Sequence, residues 1–136
     1  MRVASASGIA GLLIAGAFFA AFALAHDESE GVPVILSPTD GAVVRSPVTM
    51  IVEFKGASGA RQHHGAHLHL VVDSPLPTPG RMVPMDEKHI HLTHGETKTV
   101  LSLAPGKHTL QLIVGGDDHV IRAHAPHSKM ITIAVQ

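Results

Sequence analysis

Residues 67–73 read His-Leu-His-Leu-Val-Val-Asp, and this alternation of imidazole and aliphatic side chains decides the fold class. Successive side chains of a β-strand point to opposite faces, so the leucines share one face with the second valine and the histidines share the other. Residues 89–92, His-Ile-His-Leu, repeat the pattern. Both segments therefore predict strands with one apolar face and one face of paired histidines.

Outside these segments the chain consists of short apolar stretches separated by Gly, Pro, Asp and Ser, which is typical of all-β proteins. The predicted strands are Val32 to Leu36, Val48 to Lys55, His67 to Asp73, Lys88 to Thr93, Thr97 to Leu103, His108 to Val114 and Met130 to Val135. This number suits an immunoglobulin-like antiparallel β-sandwich of about seven strands. Four prolines within 74–84 predict a long surface crossing between two strands.

The first 25 residues have the features of a secretory signal. Arg2 precedes the apolar run 8–24, and Ala23-Leu24-Ala25 matches the site that a signal peptidase cleaves. We therefore predict a signal helix over 1–25, a flexible segment over 26–31, a β-sandwich domain over 32–136, and a periplasmic or secreted location without a membrane anchor. An uncleaved membrane anchor is the alternative, because the apolar run is nearly long enough to span a bilayer.

The composition excludes several classes of site. The chain has no cysteine, which excludes disulfides and thiolate metal ligands. Phe54 is the only Phe, Tyr or Trp after residue 25, which argues against stacking platforms for sugars or single-stranded nucleic acid. The net charge of −1 also argues against a nucleic-acid partner. In contrast, all twelve histidines lie in the predicted mature part.

In an immunoglobulin-like topology, most of these histidines fall in loops and strand ends at one end of the sandwich. Neutral imidazole is the commonest metal ligand in proteins, and without thiolates a site of this kind favours copper or zinc. The predicted ligands of a copper or zinc ion are His64, His67, His69, His89, His91, His94, His119 and His124.

Other residues have a metal-binding and a simpler interpretation. Met82 and Met85 are soft donors suited to Cu(I), or ordinary packing and loop residues. His26 would chelate Cu(II) with its own amine if cleavage follows Ala25, or would lie in a disordered tail. At the opposite end, His108 occupies the position of a corner tyrosine and is predicted to form structural hydrogen bonds. Asp117 and Asp118 are predicted turn residues.

The segments 67–73, 89–92, 95–97, 103–112 and 118–119 together resemble an exported bacterial family named domain of unknown function 4399. The resemblance implies that His67, His69, Asp73, His89, His91, His108 and His119 occupy motif positions. The chain departs from the family pattern at Leu68, where adjacent histidines are expected, at Glu96, where glutamine is expected, and around His124. Residues 37–41 also resemble periplasmic copper-resistance β-sandwiches at the level of fold.

Three functions are compatible with the sequence. The first is an exported module that binds copper or zinc in metal storage, delivery or resistance. The second is a non-catalytic envelope domain, structural or bound to an envelope protein, whose histidines are solvated or sense pH near 6.5. The third is a metal-dependent hydrolase with Glu96 or Asp86 as general base, although the chain has none of the common hydrolase motifs. We therefore expect a binding protein rather than an enzyme.

Overall fold

The computed structural model describes residues 31–55, 67–92 and 96–136, and these ranges contain strands and no helix. The strands are β1 (Val32–Ser37), β2 (Val43–Val44), β3 (Val48–Lys55), β4 (His67–Val72), β5 (His89–Leu92), β6 (Lys98–Leu101), β7 (Gly106–Gly115) and β8 (Ile131–Val135). The predicted all-β sandwich is confirmed. The predicted signal helix and residues 26–30 of the predicted flexible segment fall outside the described residues. Within the described ranges, no helix is long and apolar enough to cross a bilayer.

The strands form two sheets. One has three strands in the order β1-β3-β6, and the other has five in the order β2-β8-β7-β4-β5. Neighbouring strands are antiparallel except for β2 and β8, which are parallel. The short strand β2 had no counterpart in the sequence prediction. Strand β5 lies at the edge of the five-stranded sheet next to β4, with Leu70 opposite Ile90 and His69 opposite His91.

The five-stranded sheet is covered on both faces. Its inner face packs against the three-stranded sheet through Leu68, Leu70, Leu110 and Leu112. Its outer face carries a second apolar cluster, formed by Val71 and Ile113 of the sheet with Val83 and Ile121 of the covering segments. The segment predicted as a surface crossing is therefore partly a cover over the sheet.

Backbone hydrogen bonds join the two loops that cover the outer face. The Val83 N–H donates to the His119 carbonyl at 2.9 Å, and the Ile121 N–H donates to the Arg81 carbonyl at 3.0 Å. An isolated bridge pairs Met82 with Val120. Two loops that are far apart in sequence thus form one layer over the outer face.

His108 forms the predicted structural hydrogen bonds. Its Nδ1 lies 2.7 Å from an Asp73 carboxylate oxygen and its Nε2 lies 2.7 Å from the Ala104 carbonyl oxygen. Both partners accept hydrogen bonds, so both ring nitrogens donate when the ring is an imidazolium. The Asp73 carboxylate and the Ala104 carbonyl accordingly raise the pKa of His108. The other Asp73 oxygen accepts the Thr109 N–H at 2.8 Å, which fixes the turn after β4.

Candidate metal centre

Four imidazole rings meet on the outer face of the five-stranded sheet. His67 and His69 come from β4, His91 comes from β5, and His119 comes from the loop after β7. The alternation along β4 sends its leucines to the inner core and its histidines to the opposite face, as predicted. His91 joins them because it lies directly opposite His69 in the ladder.

The His119 ring contacts the other three rings, and His69 also contacts His91. His69 meets His91 edge to face, with ring centroids 4.4 Å apart and an interplanar angle of 89°. His119 stacks on His67 at 4.9 Å and on His91 at 4.8 Å, with interplanar angles of 17° and 20°. It also approaches His69 edge to face at 5.7 Å. We call these residues the four-imidazole cluster.

The cluster leaves buried nitrogens without hydrogen-bond partners. These are Nδ1 of His67, Nδ1 and Nε2 of His69, and Nε2 of His91. His69 is 0% exposed, so water cannot reach its ring. A buried polar group without a partner costs about 1–3 kcal/mol, and an N–H directed at a ring face recovers only part of this. An unpartnered histidine in the interior therefore needs an explanation beyond packing.

Burial also keeps His69 and His91 uncharged. Desolvation, followed by the positive potential of the neighbouring imidazoles His91 and His119, lowers the pKa of His69 to about 3. Desolvation and the neighbouring rings lower the pKa of His91 in the same direction. The lone pairs of these rings are consequently free of protons at neutral pH, which is the state that binds a metal ion.

All four rings lie within the part of the chain that matches a known family. Residues 47–136 match the sequence profile of the family described as "Domain of unknown function (DUF4399)". The chain belongs to the DUF4399 family. No curated protein matches this chain. The family match confirms the resemblance drawn from the motifs, whereas the likeness to copper-resistance sandwiches stays a prediction.

The DUF4399 domain makes room for His69 with a glycine. A Cβ atom on Gly115 would lie 2.6 Å from Nε2 of His69 and 2.9 Å from its Cδ2, closer than real Cβ contacts allow. Gly115 lies opposite His67 in the β4–β7 ladder. The absence of a side chain at position 115 is therefore what admits the buried imidazole.

We expect Gly115→Ala to destabilise the DUF4399 domain by about 1–3 kcal/mol, because overpacking forces the His69 ring out of its position. The companion variant His69→Ala removes the ring that the new methyl group would strike. In urea unfolding of the two single variants and the double variant, the double variant should be more stable than the sum of the single effects predicts, by about 1 kcal/mol or more. Additive effects would contradict this explanation of Gly115.

The loop that carries His119 is fixed by Asp118. The Asp118 carboxylate accepts the Val120 N–H at 3.0 Å and a nitrogen of Arg122 at 3.0 Å. The His119 N–H donates to the Gly116 carbonyl at 2.8 Å, and His119 has a left-handed backbone with φ of 59°. The predicted turn roles of Asp117 and Asp118 are confirmed, since Asp117 accepts the N–H of Asp118.

The rings do not form a chelating set as they stand. Within 31–55, 67–92 and 96–136, no three His, Asp or Glu side chains are arranged to hold a metal ion. Imidazoles that share a tetrahedral ion about 2 Å from each nitrogen have centroids about 5 Å apart, which the four ring pairs in contact approach. The orientation is the obstacle, because nearly parallel stacked rings cannot direct their nitrogens at one point.

The other predicted ligands lie elsewhere or outside the described residues. His89 is buried, and its Nδ1 lies 2.6 Å from the Asp86 carboxylate. His124 is exposed on the covering loop with φ of 64°. His64, His94 and His26 lie outside the described residues.

Further candidates are also separate from the cluster. Met82 and Met85 are 61% and 86% exposed, so neither fills the core. Asp86, predicted as one possible general base, already forms a hydrogen bond with His89. This bond lowers the pKa of Asp86. Sequence reasoning missed the burial of His69, because the apolar Val83 and Ile121 in the loop segments were the only sign of a cover over the sheet.

Proposed function

We propose that the protein is exported and binds a copper or zinc ion at the four-imidazole cluster, for metal storage, delivery or resistance. The observation that carries the proposal is the group of buried imidazole nitrogens without partners on His67, His69 and His91. A metal ion would bind the one lone pair that each neutral ring offers and remove the cost of leaving that nitrogen unpartnered. Natural proteins rarely leave several buried nitrogens unpaired without a functional reason.

The chemistry of the ligand set supports the choice of metal. The cluster offers nitrogen donors only, and first-row divalent ions bind such sites in an order that favours Cu(II), with Zn(II) also well suited. The low pKa of His69, caused by burial, means that no proton has to be displaced from it at neutral pH. Binding requires the His119 ring to turn out of its stacks on His67 and His91, so that the nitrogens converge on one point.

The test is calorimetric titration of the purified, chelator-treated protein with Cu(II) and with Zn(II). We expect micromolar or tighter binding of one ion for each chain, lost in His91→Gln and unchanged in His124→Gln, whose side chain is exposed on the covering loop. His91→Gln is suitable because His91 lies on an edge strand, where a substitution is tolerated best. No micromolar binding of either ion by the wild type would disprove the proposal.

The cellular part of the proposal has its own experiment. Protein isolated from the cell envelope is analysed for metal content, and the same sample is sequenced from its N-terminus. We expect copper or zinc in the sample and a chain that begins at His26. A chain that begins at Met1 would contradict cleavage, and a metal-free sample would contradict the storage role.

A further inference from the structure

We infer that Met82 and Met85 form a second metal site, separate from the four-imidazole cluster, in which two thioether sulfurs bind one soft monovalent cation, Cu(I) or Ag(I). The inference does not depend on the proposed function, because it uses other donors and another class of ion. It rests on the exposure of these two side chains and on the way the structure holds the segment that carries them.

Both methionine side chains lie on the surface. Met82 is 61% exposed and Met85 is 86% exposed, whereas Met50 is 0% exposed and belongs to the inner core. A methionine side chain stabilises a fold mainly by filling gaps in a core, and an exposed one contributes little of this. The two thioethers are therefore open to a ligand from solution.

The backbone that carries Met82 is anchored to the covering loop. Met82 pairs with Val120 in an isolated bridge, and the N–H of the next residue, Val83, donates to the His119 carbonyl at 2.9 Å. The Val83 side chain is 1% exposed and packs in the second apolar cluster. Residue 82 therefore keeps its place while its thioether stays in solvent.

The backbone that carries Met85 is anchored by its neighbours. Pro84 has a fixed φ. The Asp86 carboxylate accepts the Lys88 N–H at 2.9 Å and lies 2.6 Å from Nδ1 of the buried His89. Binding therefore has to order only the two methionine side chains, and a backbone already in place lowers the cost of binding.

The two sulfurs are within reach of one ion. Residues 82 and 85 are three positions apart, so their Cα atoms are at most about 11 Å apart. Each side chain is unbranched and flexible, and neither is fixed by packing, so both can turn towards a shared ion. A d¹⁰ ion such as Cu(I) or Ag(I) is stable with two ligands in a line.

The donor atoms and the local charges select a soft ion. Thioether sulfur suits Cu(I), whereas Mg²⁺ and Ca²⁺ prefer oxygen ligands. The charged residues next to the pair are Arg81, Asp86, Glu87 and Lys88, and their formal charges cancel. The segment therefore does not attract cations in general, and the softness of sulfur decides which ion binds.

The experiment uses Ag(I) as the probe, because it resembles Cu(I) and is not oxidised in air. Silver nitrate is titrated into protein labelled with ¹³C in its methionine methyl groups, in chloride-free buffer, and the NMR signal of each methyl group is followed. Met130, which is 51% exposed, is the control for an ordinary surface thioether, and Met50 is the control for a buried one. All the sulfurs are compared in the same sample, so silver bound to histidine does not affect the comparison.

We expect the Met82 and Met85 signals to shift together, at about one-tenth of the silver concentration that shifts Met130. In Met85→Leu, the Met82 signal should need about tenfold more silver, because the second donor is lost. Met130→Leu should leave both signals as in the wild type. Each substitution places an apolar side chain of similar size at an exposed position, so each variant should fold.

Two results would overturn the inference. If Met82, Met85 and Met130 all respond at the same silver concentration, the first two are independent surface residues. If His91→Gln weakens the response of Met82 and Met85, silver at the four-imidazole cluster causes that response. The Cu(II) and Zn(II) titrations test the cluster separately, so failure of the proposed function would leave this inference standing.

Discussion

Replacement of His69 by leucine is expected to raise the free energy of unfolding of the metal-free protein by about 1–3 kcal/mol, because it removes a buried polar ring with two unpartnered nitrogens. Leucine has a similar volume and is apolar, so its own packing cost should be small. A histidine that served only the fold would give the opposite result, since its loss would leave the protein less stable.

Addition of copper or zinc should make the wild type more stable than His69→Leu. An ion at about 1,000 times its dissociation constant stabilises the folded state by about 4.1 kcal/mol, which exceeds the expected advantage of His69→Leu, and only the wild type can gain this. Urea unfolding of both proteins, with a chelator and with excess Cu(II), measures the four free energies. His124→Leu is the control and should follow the wild type in both conditions. If His69→Leu is less stable without metal, the functional interpretation of the buried ring is wrong.

The second large effect is a loss of stability in mild acid. Unfolded His69 takes up a proton near pH 6.5, whereas burial and the neighbouring imidazoles keep the folded ring neutral down to a pKa of about 3. Between these values the unfolded chain binds one more proton, so the free energy of unfolding falls as the pH falls. One such proton costs about 1.4 kcal/mol for each pH unit, or about 3 kcal/mol between pH 6.5 and 4.

The shifted pKa values of three other groups add to this trend or act outside this pH window. The lowered pKa of His91 acts in the same direction as that of His69. The raised pKa of His108 means that its stabilising contribution is lost as the pH rises through that value, on the alkaline side of 6.5. The lowered pKa of Asp73, where the His108 and Thr109 hydrogen bonds outweigh desolvation, matters only as the pH falls below its ordinary value near 3.8.

The measurement is urea unfolding of the metal-free protein at several pH values from 7 to 4. The free energy of unfolding of the wild type should fall steadily. That of His69→Leu should fall less, by the contribution of about one bound proton across the series. Equal slopes for the two proteins would mean that the folded His69 ring is protonated as readily as the unfolded one.

The sequence predicted the strands well because their alternation is strong. The pattern of residues 67–73 determined which side chains entered the inner core, and the structure follows it. The position of β5 in the sheet was harder to predict from the sequence. Its residues suit any antiparallel neighbour, and its pairing with β4 depends on the tertiary structure. The two-residue strand β2 is too short to leave a periodic pattern.

The sequence predicted which residues form the site but not the burial or the hydrogen-bond partners of their side chains. Alternation together with the loop arrangement brought His67, His69, His91 and His119 to one region, and the structure agrees. The burial of His69 could not be predicted, because it depends on Val83 and Ile121 in loops that read as surface segments. Hydrogen-bond partners such as Asp86 for His89 are likewise set by side-chain geometry that spacing alone does not specify.

The burial of both faces of β4 also affects the register in which the strands of the sheet pair. His69 and Leu70 are neighbours along the strand, face opposite ways, and are both 0% exposed. A slip of one residue would place the imidazoles among the leucines and send the leucines to the other face. His67 is only half-buried in the native sheet, and a slip would bury its ring completely in the inner core. This added desolvation disfavours the misaligned sheet before any ion arrives.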